Sequence, residues 1–163
     1  MKVLGICGQS GAGKTTVLDF FCKLGAQVCD CDKISREIMS AGSDCSREVV
    51  ECFGKEILTD GKSIDRKALA NIVFFDKEKL EMLTEITNRY IKAEIYKRLD
   101  EARKNQCFLF VIDAPLLFES GLYTDCDITL AVTAERDVRL DRIMKRDGID
   151  KLLAEKRLEA QLS

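Results

Sequence analysis

The chain of 163 residues contains no histidine. That absence removes Ser-His-Asp triads, Cys-His dyads, histidine-bound metals and any imidazole acid or base. Proton transfer must fall to Asp, Glu, Lys, Tyr or Cys. Net charge is also missing: 28 acidic against 26 basic residues give −2. Without a strongly basic field, neither nucleic acid nor a membrane surface is an expected partner. Long apolar runs are absent too. The longest, Phe108 to Ile112, is far short of the roughly 20 residues of a membrane span. Met1-Lys2 leads through a short apolar stretch straight into a glycine motif, which is no secretory signal. A cytoplasmic location is expected. The eight cysteines form no C-x-x-C, and no histidine can complete a zinc set. Apolar neighbours suit them as small core residues in a reducing compartment, with a redox pair at Cys29 and Cys31 as the alternative. Hydrophobic residues make up 46% and charged ones 33%. Disorder is therefore excluded, and the length suits one domain with a sizeable core.

What is present begins at once. Lys2 to Cys7 (KVLGIC) reads as a buried strand, and Gly8 opens a turn. From Lys14 the period changes: Val17, Leu18, Phe21 and Leu24 share a helical face, and Gly25 ends it. Gln27 to Cys31 returns to strand character, ending at Asp30-Cys31-Asp32. Strand, helix and strand within about 30 residues make a βαβ unit and imply a parallel sheet. From Lys33 to Lys104 helices and turns dominate. Ser43 or Asp44 caps a segment with Val49, Val50 and Phe53 that stops at Gly54. Asp60-Gly61 is a turn, Asp65 caps Arg66 to Phe75, and Lys77 to Arg103 is one long helix. Sheet character resumes at Cys107 to Asp113 and Asp127 to Val132. A charged helix follows from Glu135 to Arg146. Gly148 interrupts it, and Asp150 to Leu162 is helical again.

The chemistry lies in Gly8-Gln9-Ser10-Gly11-Ala12-Gly13-Lys14-Thr15, which satisfies G-x-x-x-x-G-K-[ST] between a strand and a helix. Glycines let the backbone approach phosphate oxygens. The amides of Gly11, Ala12, Gly13, Lys14, Thr15 and Thr16 lie where the helix N-terminus favours an anion. Lys14 can reach the β- and γ-phosphates of ATP, and the Thr15 hydroxyl can bind Mg²⁺. Asp113 ends an apolar strand, where a Walker-B type carboxylate near Mg²⁺ or a plain turn cap would stand. A small-molecule kinase fits better than a GTPase, since no Asn-Lys-x-Asp occurs and a helical insertion follows the second strand. Arg136, Arg139, Arg142 and Arg146 follow a late strand. They either close over phosphates or form a solvated face laced with Asp137, Asp141 and Asp147.

The residues GQSGAGKTT, LGAQVCDCDKISRE, DGKSIDRKAL, DAPLLFESGLY, RLDRIMKRDG and EAQLS together resemble the dephospho-CoA kinase family, along nearly the whole chain. The resemblance implies an α/β fold: a P-loop three-layer sandwich with a parallel sheet, a helical substrate-binding insertion and a short helical lid. The implied division is 1–35 and 105–135 as nucleotide-binding core, 36–104 as helical acceptor (CoA) region and 136–163 as lid. It implies ATP-dependent phosphorylation of the ribose 3′-hydroxyl of dephospho-CoA, the last step of coenzyme A biosynthesis, with ATP and dephospho-CoA as partners and Mg²⁺ as cofactor. In this reading Asp32 matches the family's proposed catalytic base, and it sits where a carboxylate at a strand end would orient the ribose hydroxyl. Lys14 and Arg142 complete the catalytic set. Arg142 and Arg146 belong to the lid that covers ATP, and Arg66 matches an acceptor-binding arginine. Three departures stand out. Asn88-Arg89 replaces the family's His-Pro, and Gln9 replaces a glycine. The family also continues with a further strand, an Asn-Gly turn and a terminal helix, so a core strand and helix are expected to be missing at the C-terminal end. The alternatives are another small-metabolite or nucleoside monophosphate kinase of this fold, or a nucleotide-binding fragment impaired in catalysis.

Overall fold

The computed structural model describes residues 1–159. The C-terminal part of the last expected helix, Ala160 to Leu162, and the end of the EAQLS match lie outside the described residues. In chain order the elements are β1 (Lys2–Gly8), α1 (Lys14–Lys23), β2 (Gln27–Asp30), α2 (Cys31–Ile38), α3 (Asp44–Phe53), β3 (Leu58–Thr59), β4 (Ser63–Ile64), α4 (Arg66–Val73), α5 (Lys77–Lys104), β5 (Leu109–Asp113), β6 (Ile128–Val132), α6 (Arg136–Asp147) and α7 (Lys151–Glu159). The fold is α/β with a four-stranded parallel sheet, as expected. The strand order is β2-β5-β1-β6.

The chain divides into two compact units, Met1–Cys29 with Ala102–Ser163, and Asp30–Glu101. In the first, β1 is flanked on both edges. Leu4 pairs with Val111 and Ile6 with Asp113 on β5, while Ile6 pairs with Leu130 and Gly8 with Val132 on β6. One sheet face buries Leu4, Ile6 and Val111 against Val17, Leu18 and Phe21 of α1. This is the apolar stripe whose helical spacing is legible in the sequence. On the other face Gly5 is required by packing: a Cβ there would lie 2.8 Å from both Leu117 Cδ2 and Cys126 Sγ. Two bonds from Asp127 clamp the start of β1. It accepts from Lys2 Nζ at 2.8 Å and from the Val3 amide at 2.7 Å. The α6–α7 pair encloses its own small core of Leu140, Ile143, Ala154 and Leu158. Gly148 (φ 64) terminates α6 in the left-handed conformation that glycine adopts most easily.

The second unit is mostly helical. Cys45, Val49 and Phe53 of α3, Leu69 and Val73 of α4 and Ile86 of α5 form its core. Ser43 caps α3 by accepting from the Ser46 amide, and Asp65 caps α4 by accepting from Lys67 and Ala68. Asp60 (φ 48) and Gly61 (φ 70) make the turn, and β3 and β4 pair antiparallel around it. The periodicity does not disclose such short strands.

Two expectations are corrected. The second strand ends at Asp30 rather than Cys31, because the Asp30 carboxylate accepts from the Lys33 amide and starts α2. Asp32 is therefore a helical residue. The cysteines are less uniform than their apolar neighbours suggest. None of the eight is in a disulfide: Cys29, Cys31 and Cys45 are buried, Cys7, Cys107 and Cys126 half-buried, and Cys22 and Cys52 exposed. Burial pushes the Cys45 and Cys126 thiols up to about 11.

The Asp127 clamp has a pH signature. Its hydrogen bond from Lys2 and then that from the Val3 amide hold the carboxyl below the ordinary range. A lowered folded pKa adds stability that is present above the unfolded value, about 3.9, and is lost as pH falls through the folded one. Asp127→Asn should melt below the parent at pH 6. The gap should close as both are acidified below about pH 4, read as melting temperature against pH.

Candidate active site

The phosphate loop spans the end of β1 and the start of α1, within the first unit. Gly13 caps α1 with φ 102 and no side-chain hydrogen bond. By contrast, Asp30, Ser43 and Asp65 cap α2, α3 and α4 with side-chain oxygens. An α-helix leaves its first amide groups without intrahelical acceptors. At α1 the N-cap is a glycine with no side chain to fill that role, and the helix dipole adds positive potential there. Within the loop the Ala12 amide donates to Gln9 O at 3.1 Å and makes a tight turn. Thr15 and Thr16 stand exposed in the first turn of α1.

Lys14 and Asp113 form an ion pair. The sheet register explains it: Asp113 lies beside Ile6, two residues before Gly8, and the Ala114 amide donates to Ile6 O at 3.1 Å. Asp113 is 8% exposed, a buried carboxylate beside the loop. Turn capping does not account for that burial.

Helix α6 lies against the outside of the loop. Arg139 Nε donates to Ser10 O at 3.1 Å. Arg142 Nη1 donates to Gly11 O at 3.1 Å and Ala12 O at 3.2 Å. Arg146 Nη2 donates to Ser10 Oγ at 3.1 Å. Arg146 is also forked onto Asp147, which pairs with Arg157. These bonds hold the Asp147 carboxyl below its usual range, with Arg146 the larger cause. Of the two sequence alternatives for the arginines, the solvated face holds for Arg136, which is exposed at the helix start. Arg139, Arg142 and Arg146 turn to the loop. Sequence reading passed over Arg139 individually. Its signal is the i, i+3, i+7 spacing that places these three on one face.

The remaining expected residues lie in the second unit. Asp32 is exposed in the first turn of α2, and Arg66 is exposed as the first residue of α4. Of the two aspartates of the D-x-D, Asp30 caps α2 through its side chain. Arg89 is ion-paired to Glu48 and lies 5.3 Å from the centre of the Tyr90 ring. Tyr90 Oη also donates to Glu48 Oε2 at 2.8 Å. Glu48 is held below the usual carboxylate range, first by Tyr90 and then by Arg89.

A family model described as dephospho-CoA kinase matches residues 2–163. The chain belongs to the dephospho-CoA kinase family. Similar curated proteins carry the same description. That from Moorella thermoacetica is 41% identical over 162 residues, 99% of this chain and 76% of the relative. The one from Aquifex aeolicus is 41% identical over 164 residues, covering 99% and 81%. Among solved structures, a Thermus thermophilus protein superposes with a TM-score of 0.82 at 28% identity, covering 99% of this chain and 80% of its own. The dephospho-CoA kinase from Campylobacter jejuni gives 0.67 at 30%, covering 98% and 79%. This kinase family assigns the chain to the phosphotransferases and agrees with the expected fold and enzyme class.

Glycine geometry offers a test. Gly11 (φ 77) and Gly61 (φ 70) share a left-handed backbone. A Cβ at Gly11 would lie 2.7 Å from Arg139 O and 3.0 Å from Arg139 Cα, whereas nothing lies within 4 Å of one at Gly61. Both Gly→Ala changes should cost about 1–2 kcal/mol from φ alone. Gly11→Ala should exceed Gly61→Ala, read as urea unfolding free energies.

Proposed function

We propose that this chain transfers the γ-phosphoryl group of ATP to the ribose 3′-hydroxyl of dephospho-CoA. The observation that carries the reading is an α1 N-terminus without a side-chain cap, flanked by Lys14 and buried Asp113, in a chain of this family. The amides of Gly11, Gly13, Lys14 and Thr15 bind the donor phosphates, those of Ala12 and Thr16 being bonded to Gln9 O and Gly13 O, and Lys14 follows the charge that develops on the β- and γ-oxygens. For that, Lys14 must exchange some of its contact with Asp113 for phosphate. Arg142 and Arg146 reach the same loop from α6; exchanging part of their bonds to Gly11 O, Ala12 O and Ser10 Oγ for phosphate, they stabilise charge on the transferring group and exclude water.

Mg²⁺ fits the donor set. Such an ion is held by one or two protein oxygens together with phosphates and waters. The Asp113 carboxylate and the Thr15 hydroxyl are hard oxygen donors on either side of Lys14. Bound there, Mg²⁺ would neutralise phosphate charge.

Asp32 accepts the proton of the 3′-hydroxyl as its oxygen bonds to the γ-phosphorus and the bond to the β-phosphate oxygen breaks, releasing ADP. What supports Asp32 over Asp30 is exposure without a cap to hold. Arg66 contacts the acceptor's phosphates. No helix among the described residues is long and apolar enough to cross a membrane. The cytoplasm is the proposed location.

ADP release should be accelerated by dephospho-CoA and not by nucleoside monophosphates or shikimate; the reverse pattern would remove the assignment. Asp32→Asn should lower kcat by about 10²-fold or more and leave the ATP-dependent rise in melting temperature unchanged. Turnover within about tenfold of the parent would show that Asp32 is not the base.

A further inference from the structure

The contacts between α6 and the loop fall on carbonyl oxygens, and that decides which way the loop's amides face. In a trans peptide the C=O and the following N–H point to opposite sides. No cis peptide bond occurs among the described residues. Ser10 O accepts from Arg139 Nε, so the Gly11 N–H is turned away from that guanidinium. Ala12 O accepts from Arg142 Nη1, so the Gly13 N–H is turned away likewise. The peptide between them is tied at both ends: Gly11 O to Arg142 Nη1 and the Ala12 N–H to Gln9 O.

We propose that Arg139 is a positioning residue for the phosphate loop, holding the Ser10–Gly11 peptide from outside so that the Gly11 amide presents to the anion. It acts in parallel with Arg142, which does the same for Gly13. Charge-assisted bonds are the stronger kind, and a cation on the carbonyl polarises the peptide and sharpens its N–H as a donor. Backbone contact reinforces the hold. The main chain of Arg139 sits so close to Gly11 that no Cβ fits between them. Arg139 thus aligns the loop through both its side chain and its main chain, and its Nε serves the loop rather than the nucleotide. The inference rests on reading this loop as the donor-phosphate site.

The test uses the full chain with Arg139→Met, which keeps the apolar stem, and Arg139→Lys, which keeps a single-point cation. Inorganic tripolyphosphate is the binding probe, followed by calorimetry. Backbone amide NMR shifts of Gly11 are recorded without ligand. Arg139→Met should weaken tripolyphosphate about tenfold and move the Gly11 amide upfield. The KM for dephospho-CoA should stay within about twofold. Arg139→Lys should recover most of the affinity. Tripolyphosphate binding by the Met variant within about twofold of the parent, or an unmoved Gly11 amide, would overturn the proposal. So would failure of rescue in a Lys variant that melts with the parent. Should the parent bind neither tripolyphosphate nor ATP, the donor-site reading itself fails. The Gly11 amide shift then still decides whether Arg139 holds the peptide.

Discussion

The loop depends on β1 being held along both of its edges. A phosphate cradle made of main-chain amides has little side-chain bulk to brace it, so its position is that of the strand end it grows from. Here Ile6 is bonded into register with Asp113 on one side and Leu130 on the other, and Gly8 with Val132. The same register that fixes the loop sets Asp113 beside it. Burial of Leu4, Ile6 and Val111 under α1 then sets the helix whose N-terminus completes the cradle.

From that frame the charges follow in order. Lys14 is the first residue of α1 and meets Asp113 because helix start and strand end converge. A lone buried carboxylate would carry a large desolvation cost, and the ammonium group offsets it. On the outer side, three arginines of α6 approach carbonyls and a hydroxyl rather than acids. Cations on the outside and amides on the inside are two ends of the same peptide dipoles. The loop is thus stiffened by guanidinium groups on its carbonyl side.

The second unit is organised differently, by caps rather than by pairing. Asp30, Ser43 and Asp65 each satisfy amides that begin a helix. Asp30 shows how a cap redistributes chemistry. By starting α2 it shortens the strand and carries Asp32 into the first helical turn. The D-x-D spacing could not show which element held Asp32, since a helix start depends on one local hydrogen bond.

Much of the parallel sheet was legible because its central strands β1 and β5 are largely apolar and buried. The same holds for α1 and the long α5, whose apolar spacing repeats over several turns. The phosphate loop was legible because its demands are local: glycine where φ is positive, lysine and threonine where the helix begins. Strand order, the Lys14–Asp113 pair and the seating of α6 were not, since each joins residues about a hundred positions apart. Nor could composition divide eight cysteines among core, margin and surface. The sequence by itself determined the elements and the chemistry of the loop, through local backbone preference and side-chain type. Only the tertiary structure decided that Arg139 and Arg142 spend their donors on the loop's carbonyls, because that choice depends on where β6 delivers α6.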